Sequence, residues 1–314
     1  MQANRRKIVS IVALYRTLKF IAKHPLNQGH ALSALSRYFK WQLGSRLLPG
    51  GVLVPFVEGT RLIARPGMTG ATGNIYCGLH EFEDMALVLH ALRPGDLFVD
   101  IGANVGAYSI LAGGACGAEV IAVEPIPSTF SSLLDNVRIN RLDSLITAKN
   151  IGVGAEAGEV LFSEGLDTVN HVLAGGEPAS GPGIPVPIET LDGLLAGRSP
   201  CIIKIDVEGY ETQVLQGAAD TLSSPGLLAL ILELNGSGAR YGYDDDALHE
   251  ELLSKGFTPC LYRPFERQLL PLKQGHAESG NTLYVKDVET LAQRVLTARD
   301  FSVYGRLLTR AAPS

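Results

Sequence analysis

Asp100-Ile-Gly-Ala-Asn-Val-Gly106 places a carboxylate, two glycines and an asparagine in one short turn. A second acid, Glu124, stands at the end of the next apolar run, Val120–Val123. Strand, glycine turn, helix, strand and acid in this order bind a nucleoside: the backbone approaches it at the turn, and the acid takes the ribose hydroxyls. Which nucleoside follows from the spacing. A dinucleotide turn reads G-x-G-x-x-G, and its second glycine lets the backbone reach a pyrophosphate. Here Asn104 holds that position, and Asp100 would repel a phosphate but attract a cation. S-adenosylmethionine has no phosphate and carries an ammonium and a sulfonium, so the turn suits it better than NAD. Glycines used only to shape a strand-to-helix turn are the plainer reading, and the pairing of Asp100 with Glu124 speaks against it.

These residues need rigid elements behind them. Leu97, Phe98, Val99 and Ile101 read as a strand buried on both faces. Further strands are expected at 119–124, 146–151, 201–206 and 228–234, and helices at 105–115, 127–140, 189–196, 211–219 and 244–255. This alternation predicts an α/β fold with a doubly wound, mostly parallel sheet. Residues 258–262 and 281–285 read as an antiparallel pair that closes it. Ahead of the core, 51–76 reads as short strands and turns, and 81–92 as a helix ending at the turn Arg93-Pro94-Gly95-Asp96. Gly158–Ser163 reads as an extra strand. Residues 174–185, rich in Gly and Pro, read as a loop without periodicity: a lid or specificity loop, or a surface insertion. Residues 287–310 read as a C-terminal helix. The expected divisions are 1–50, a basic helical N-terminal extension; 51–96, lead-in elements; 97–287, the core; and 288–314, the closing helix.

Charge is unevenly spread. The 314-residue chain has 27 Lys and Arg against 32 Asp and Glu. Nine of the bases and none of the acids precede Glu58. Residues 8–21 and 30–43 have apolar residues at helical spacing (8, 11, 12, 15, 18 and 32, 35, 39, 43). Two amphipathic helices packed on an acidic body are the favoured reading. A surface for an anionic lipid or phosphorylated substrate, a peripheral membrane contact through residues 1–46, is the second. An organelle transit peptide has the same composition. No apolar run is long enough to span a membrane. Cys77, Cys116, Cys201 and Cys260 form no C-x-x-C pair, which argues against zinc and disulfides and for a reducing, cytoplasmic compartment. The acidic body argues against nucleic acid as partner, as does Glu233-Leu-Asn-Gly236 where a base methylase would carry N-P-P-Y. Oligomeric state leaves no sign in the sequence.

The second strong signal is Cys201-Ile-Ile-Lys-Ile-Asp-Val-Glu-Gly-Tyr-Glu211, an apolar strand ending in Asp206 and Glu208. In open α/β sheets ligands sit beyond the carboxyl ends of the strands. Pleat alternation would put both carboxylates on one face, beside the cofactor's methyl group. Capping of the next helix is the alternative role, with Glu211 as the natural capper. Asp206, Glu208 and His171 are the candidate bases. Asp206 has a second role open to it, holding the cofactor ammonium.

With these motifs in place, the chain resembles the FkbM family of S-adenosylmethionine-dependent O-methyltransferases from about Gly78 to Lys286. The resemblance rests on Val99–Gly106, Val123-Glu-Pro125, Asn136 and Asn140, Thr190-Leu-Asp192, Ile203–Glu211, Leu215–Gly217 and Asn281–Val285, in matching order and spacing. It implies a Rossmann-like class I methyltransferase sheet, S-adenosyl-L-methionine as cofactor, and methylation of a hydroxyl on a glycan, glycolipid or small natural product. It further implies Glu81 at the methionine end of the cofactor, the Asp100–Gly106 turn (with Gly102 and Asn104) at its amino acid part, and Glu124 with Pro125 at its ribose. The basic N-terminal segment and Asp167–His171 lie outside the family pattern. A metal-assisted design would draw oxygens from Asp206, Glu233 and Asn235, but no ligand spacing supports one, and none is expected. A non-catalytic protein that keeps the fold for binding is the alternative of a different class, and the intact carboxylates favour the enzyme.

Overall fold

A computed structural model of the chain describes residues 2–48, 50–163, 171–173, 183–272, 275 and 280–310, and only the backbone of 2–11 and 69. Helices α1 (Gln2–Lys23) and α2 (Ala31–Leu47) lead into the hairpin β1 (Val52–Pro55)–β2 (Arg61–Ala64), then α3 (Thr69–Cys77) and α4 (Phe82–Ala91). The alternating core begins with β3 (Leu97–Ile101), α5 (Ala107–Ile110) with its π-helical continuation to Ala115, β4 (Glu119–Val123), α6 (Pro127–Ile139) and β5 (Ile146–Lys149). Strands β6 (Gly152–Val153), β7 (Gly158–Phe162) and β8 (Ile184–Glu189) form a small side sheet in the order β6-β8-β7. The core resumes with α7 (Leu191–Leu195), β9 (Ile202–Ile205), α8 (Glu211–Gln216), α9 (Ala219–Ser223), β10 (Ala229–Glu233) and α10 (Asp245–Ser254). It ends with β11 (Thr258–Arg263), β12 (Gln268–Pro271), β13 (Asn281–Val285), α11 (Val288–Leu296) and the hairpin β14 (Phe301–Val303)–β15 (Arg306–Leu308).

The main sheet has the order β12-β11-β13-β10-β9-β3-β4-β5. Strands β5, β4, β3, β9 and β10 run parallel, and β13 is antiparallel to both β10 and β11. Every residue of β3 and β9 is buried, as their apolar runs require. The chain steps outward from β3 to β4 and β5, then returns to β9 on the other side of β3. That reversal opens a crevice at the carboxyl ends of β3 and β9. Register places Asp100 opposite Lys204 across it.

Four expectations change. The C-terminal helix stops at Leu296, and 301–308 form a hairpin instead. Tyr304 and Gly305, at φ +52° and +70°, make the two-residue turn with left-handed backbone that a tight hairpin needs. Residues 69–77 are helical where strands and turns were expected. Their glycine-rich sequence has poor helix propensity, but Ala71 and Ile75 are buried beside Trp41 and Val105, so packing overrides it. Strand β12, which buries Leu269, was not anticipated. Finally, α2 buries Ala34, Tyr38, Trp41 and Ser45, not the 32, 35, 39, 43 face. Leu32 stays 85% exposed, and Phe39 and Leu43 also point outward. Packing of α2 itself is firm: the Arg37 guanidinium donates to the carbonyls of Ile75 (3.1 Å) and Tyr76 (2.8 Å) and to Asn27 Oδ1 (3.0 Å). The expected loop 174–185 lies outside the described residues except at 183–185, where β8 begins. No described helix is long and apolar enough to cross a membrane.

Candidate active site

The glycine turn sits where β3 must stop. Gly102, at φ +78°, donates its N–H to Val123 O (3.0 Å), and Ala103 donates to the same oxygen (2.9 Å). A Cβ at Gly102 would lie 1.8 Å from Asp206 O, so the turn is pressed against the end of β9 and only glycine fits. Asn104, at φ +51°, donates its N–H to Glu124 Oε2 (2.9 Å), and Ile126 donates to Glu124 Oε1 (3.0 Å). Two backbone amides thus fix the second acid beside the turn. Asn136 on α6 donates to Val105 O and accepts from Ile63 N–H, both at 2.7 Å, which ties α6, the turn and β2 together. Asn140 brackets Arg61 in the same way. The two asparagines of the motif are therefore structural ties.

A cavity of about 280 Å³ opens over these strand ends. Glu81, Asp100, Gly102, Asn104, Glu124, Pro125, Asp206 and Glu208 all line it, joined by Tyr108, Lys204 and Glu233. Gly106 does not. It serves packing: at φ +87°, a Cβ there would meet Leu133 at 2.3 Å. His171 also lies off the lining, buried in the side-sheet region, with its N–H on Ser163 Oγ (3.0 Å). It is near enough to Glu208 to act on that carboxyl electrostatically.

The cavity is strongly acidic. Burial pushes Asp100 up, opposed by Lys204 and by Ser109, whose hydroxyl donates to Oδ2 (2.6 Å). Burial raises Glu124 to about 7 against the pull of its two amide donors. Glu233 rises to about 8 through burial and the nearby Asp206 and Glu208, and Glu208 is raised by burial and Asp206. Among the residues lining the cavity, one lysine answers them. Lys204, buried within β9, donates to Asp206 Oδ2 (2.7 Å) and lies 4.9 Å over the Tyr108 ring. Burial opposes its charge, but Asp206, Glu81 and Asp100 together hold it above the usual lysine range. Asp100 Oδ1 and Tyr108 OH are buried without partners.

Carboxylate oxygens of Asp206, Glu208 and Glu233 lie within 4.8 Å of one another. The pleat does not bring the first two together, as the sequence suggested. Strand β9 ends at Ile205, and the chain turns through Glu208 at φ +54° and Gly209 at φ +100°. Glu211 Oε1 holds this turn by accepting from Val207 and Gly209 N–H, each at 3.2 Å. Asn235, the other oxygen donor considered, accepts from Ser237 N–H (2.9 Å), and Glu208 joins Asp206 and Glu233 in the cluster. Sequence reasoning passed over Lys204 and Tyr108 and named Glu233 only as a metal donor. A charged residue inside an all-buried strand was the available signal for Lys204, since such a charge must be paired.

A reversed-order parallel sheet with an acid-lined crevice and a glycine turn defines a protein of the Rossmann-like methyltransferase class. The profile of the Methyltransferase FkbM domain matches residues 100–259, and the chain belongs to that family. Hexuronic acid methyltransferase AglP of Haloferax volcanii is 28% identical over 149 residues, 46% of this chain and 59% of AglP. The 31-O-demethyl-FK506 methyltransferase FkbM of Streptomyces tacrolimicus is 30% identical over 173 residues, 44% of this chain and 66% of that protein. The chain thus spans less than two thirds of either relative. A methyltransferase FkbM structure from Methylobacillus flagellatus aligns at 18% identity with a TM-score of 0.42, covering 68% of this chain and 52% of that one.

Proposed function

We propose that this methyltransferase uses S-adenosyl-L-methionine to methylate a hydroxyl of a glycan, glycolipid or small natural product. The observation that carries the reading is the acid-lined cavity at the strand switch, with Asp100 Oδ1 buried and unpartnered in it. A cationic ligand satisfies that oxygen and relieves the repulsion among the raised carboxyls, so the residues fit this cofactor. Asp100 and Glu81 would take the ammonium end. Glu124 would take the ribose hydroxyls through the lone pairs its amide donors leave free, with Pro125 alongside. When bound, the cofactor supplies an electrophilic methyl group on sulfur. As the acceptor oxygen takes that group from sulfur, its hydroxyl proton would pass to a carboxylate. Glu208 is the proposed base. Asp206 is engaged by Lys204, and His171 does not line the cavity. Positioning and exclusion of water supply most of the rate, and the base adds about 10²–10⁴-fold.

The names of the relatives, one a hexuronic acid methyltransferase and one acting on a demethylated FK506, support oxygen as the acceptor atom. Four free, buried cysteines fit a cytoplasmic setting. The outward apolar stripe of α2, flanked by Lys40 and Arg46, is where residues 1–46 would touch an anionic membrane, and vesicle flotation tests that contact. A second reading, divalent-metal assistance, has one observation behind it, the Asp206–Glu208–Glu233 cluster. The deciding experiment is a methyl-transfer screen over uronic acid glycans, glycolipids and hydroxylated metabolites, with and without EDTA. Transfer that survives EDTA selects the carboxylate base.

A further inference from the structure

Outside the cofactor cavity, a second hollow sets three bases against two acids, Glu81 and Glu83. A trough of about 510 Å³ runs between the end of α1 and the start of α4. Arg16, Lys19 and Lys23 line it, at i, i+3 and i+7 on one face of α1. No ion pair engages any of the three among the described residues, and all three are exposed. His80 and Glu81 line both this trough and the cofactor cavity, so the two are neighbours across a single pair of side chains.

A second observation points to a ligand. His24, on the trough wall, is 4% exposed. Its Nδ1 accepts from Leu26 N–H (3.3 Å), and burial keeps the ring neutral by lowering its pKa to about 4. The ring hydrogen therefore sits on Nε2. That atom is buried and has no hydrogen-bond partner; the backbone of Leu79 and His80 lies near it without hydrogen-bond geometry. Such a donor calls for an acceptor from outside the fold. Phe20, edge-on to both His24 and His80, adds an apolar surface for a ring or chain. Three unpaired cations and an orphaned N–H outnumber Glu81 and Glu83 and leave the trough complementary to an oxyanion.

We propose that this trough seats an anionic group of the methyl acceptor, a carboxylate or a phosphate, and so holds the acceptor hydroxyl towards the cofactor cavity past His80 and Glu81. The inference rests on the O-methyltransferase reading and narrows its substrate class to anionic acceptors. It also gives the acid-free N-terminal segment a task that packing alone leaves unexplained, since Arg37 packs on the body whereas Arg16, Lys19 and Lys23 do not.

Calorimetry with full-length protein tests the inference, using three probes: trigalacturonate, neutral maltotriose as its match in size, and the smaller glucose 1-phosphate. The expected result is that an anionic probe binds at least tenfold more tightly than maltotriose, and more weakly as salt is raised. The tighter of the two anionic probes identifies the source, a uronate or a phosphate. Lys19→Met with Lys23→Met should weaken that probe tenfold or more while leaving S-adenosylmethionine affinity within twofold and the melting temperature unchanged. If neither anionic probe outbinds maltotriose, or if binding survives the double substitution, the proposal is overturned. Anion binding in a protein that does not bind S-adenosylmethionine would overturn the acceptor assignment and, separately, the methyltransferase reading.

Discussion

Glu208 and Asp100 carry opposite parts of the proposed chemistry, and the structure separates them. Glu208→Gln keeps the shape of the turn and removes the base; kcat should fall about 10²–10⁴-fold with no change in melting temperature. Wild-type turnover in that variant would move the base to another carboxylate. Asp100→Asn keeps an acceptor for Ser109 but removes the charge facing the cavity. Cofactor affinity should drop about tenfold or more, the scale of a charged hydrogen bond. Both proposed roles can be argued from the sequence, because an acid at a strand end beside a glycine turn has few other uses. Lys204 was not recognised, although it sits opposite Asp100 in register and is the cation that lets Asp100 and Asp206 share a site. In the sequence it is one letter between Ile203 and Ile205, and its partners come from two strands and a helix start. Only three-dimensional pairing shows why a buried lysine is tolerated there.

At the level of elements, the site depends on ties that keep the glycine turn against β9. Asn136→Leu would strand the Ile63 N–H and the Val105 carbonyl, at about 1–3 kcal/mol for each unpaired buried group. A lower melting temperature together with weaker cofactor binding is the expected pair of results. A fall in stability with unchanged affinity would show that β2 and α6 do not position the turn. The alternation of strands and helices was readable because the strands are continuous apolar runs with glycine or proline between them. The two places where element type failed have physical causes. Helix α3 is glycine-rich and forms only because packing selects it: Gly73 leaves room for the His80 ring, 2.6 Å from where a Cβ would stand. The end of the chain offers apolar positions at 301, 303 and 308 that fit a helix or a hairpin, and the Tyr304-Gly305 turn decides. On α2 two apolar stripes compete. The sequence shows both, but only the body of the protein selects the one at 34, 38 and 41.

Across the whole molecule, charge is the organising quantity: an acid-lined cavity in an acidic body, with a basic segment beside it. The acid excess and the basic segment could both be counted in the sequence, but the concentration of six carboxylates around one lysine could not. It has a consequence for pH. The Glu233 carboxyl titrates higher in the fold than in the unfolded chain, so its contribution to stability is full below about 4.5 and is lost as pH rises through about 8. Glutamine has no such dependence. The melting temperature of Glu233→Gln relative to wild type should be near zero at pH 5 and positive at pH 9. Water screening at this partly exposed site limits the gain to about 2–4 °C, or about 1 kcal/mol. A difference that stays flat or turns negative would contradict the electrostatic account. The same crowding of acids predicts that a cationic cofactor binds because it neutralises them. The most direct test is calorimetric titration of the full-length wild-type protein, Asp100→Asn and Glu124→Gln with S-adenosylmethionine, alongside NAD. The account predicts one S-adenosylmethionine site per chain, a loss of about tenfold or more in each variant, and no heat from NAD. Absence of S-adenosylmethionine binding, or equal affinity in all three proteins, would contradict it.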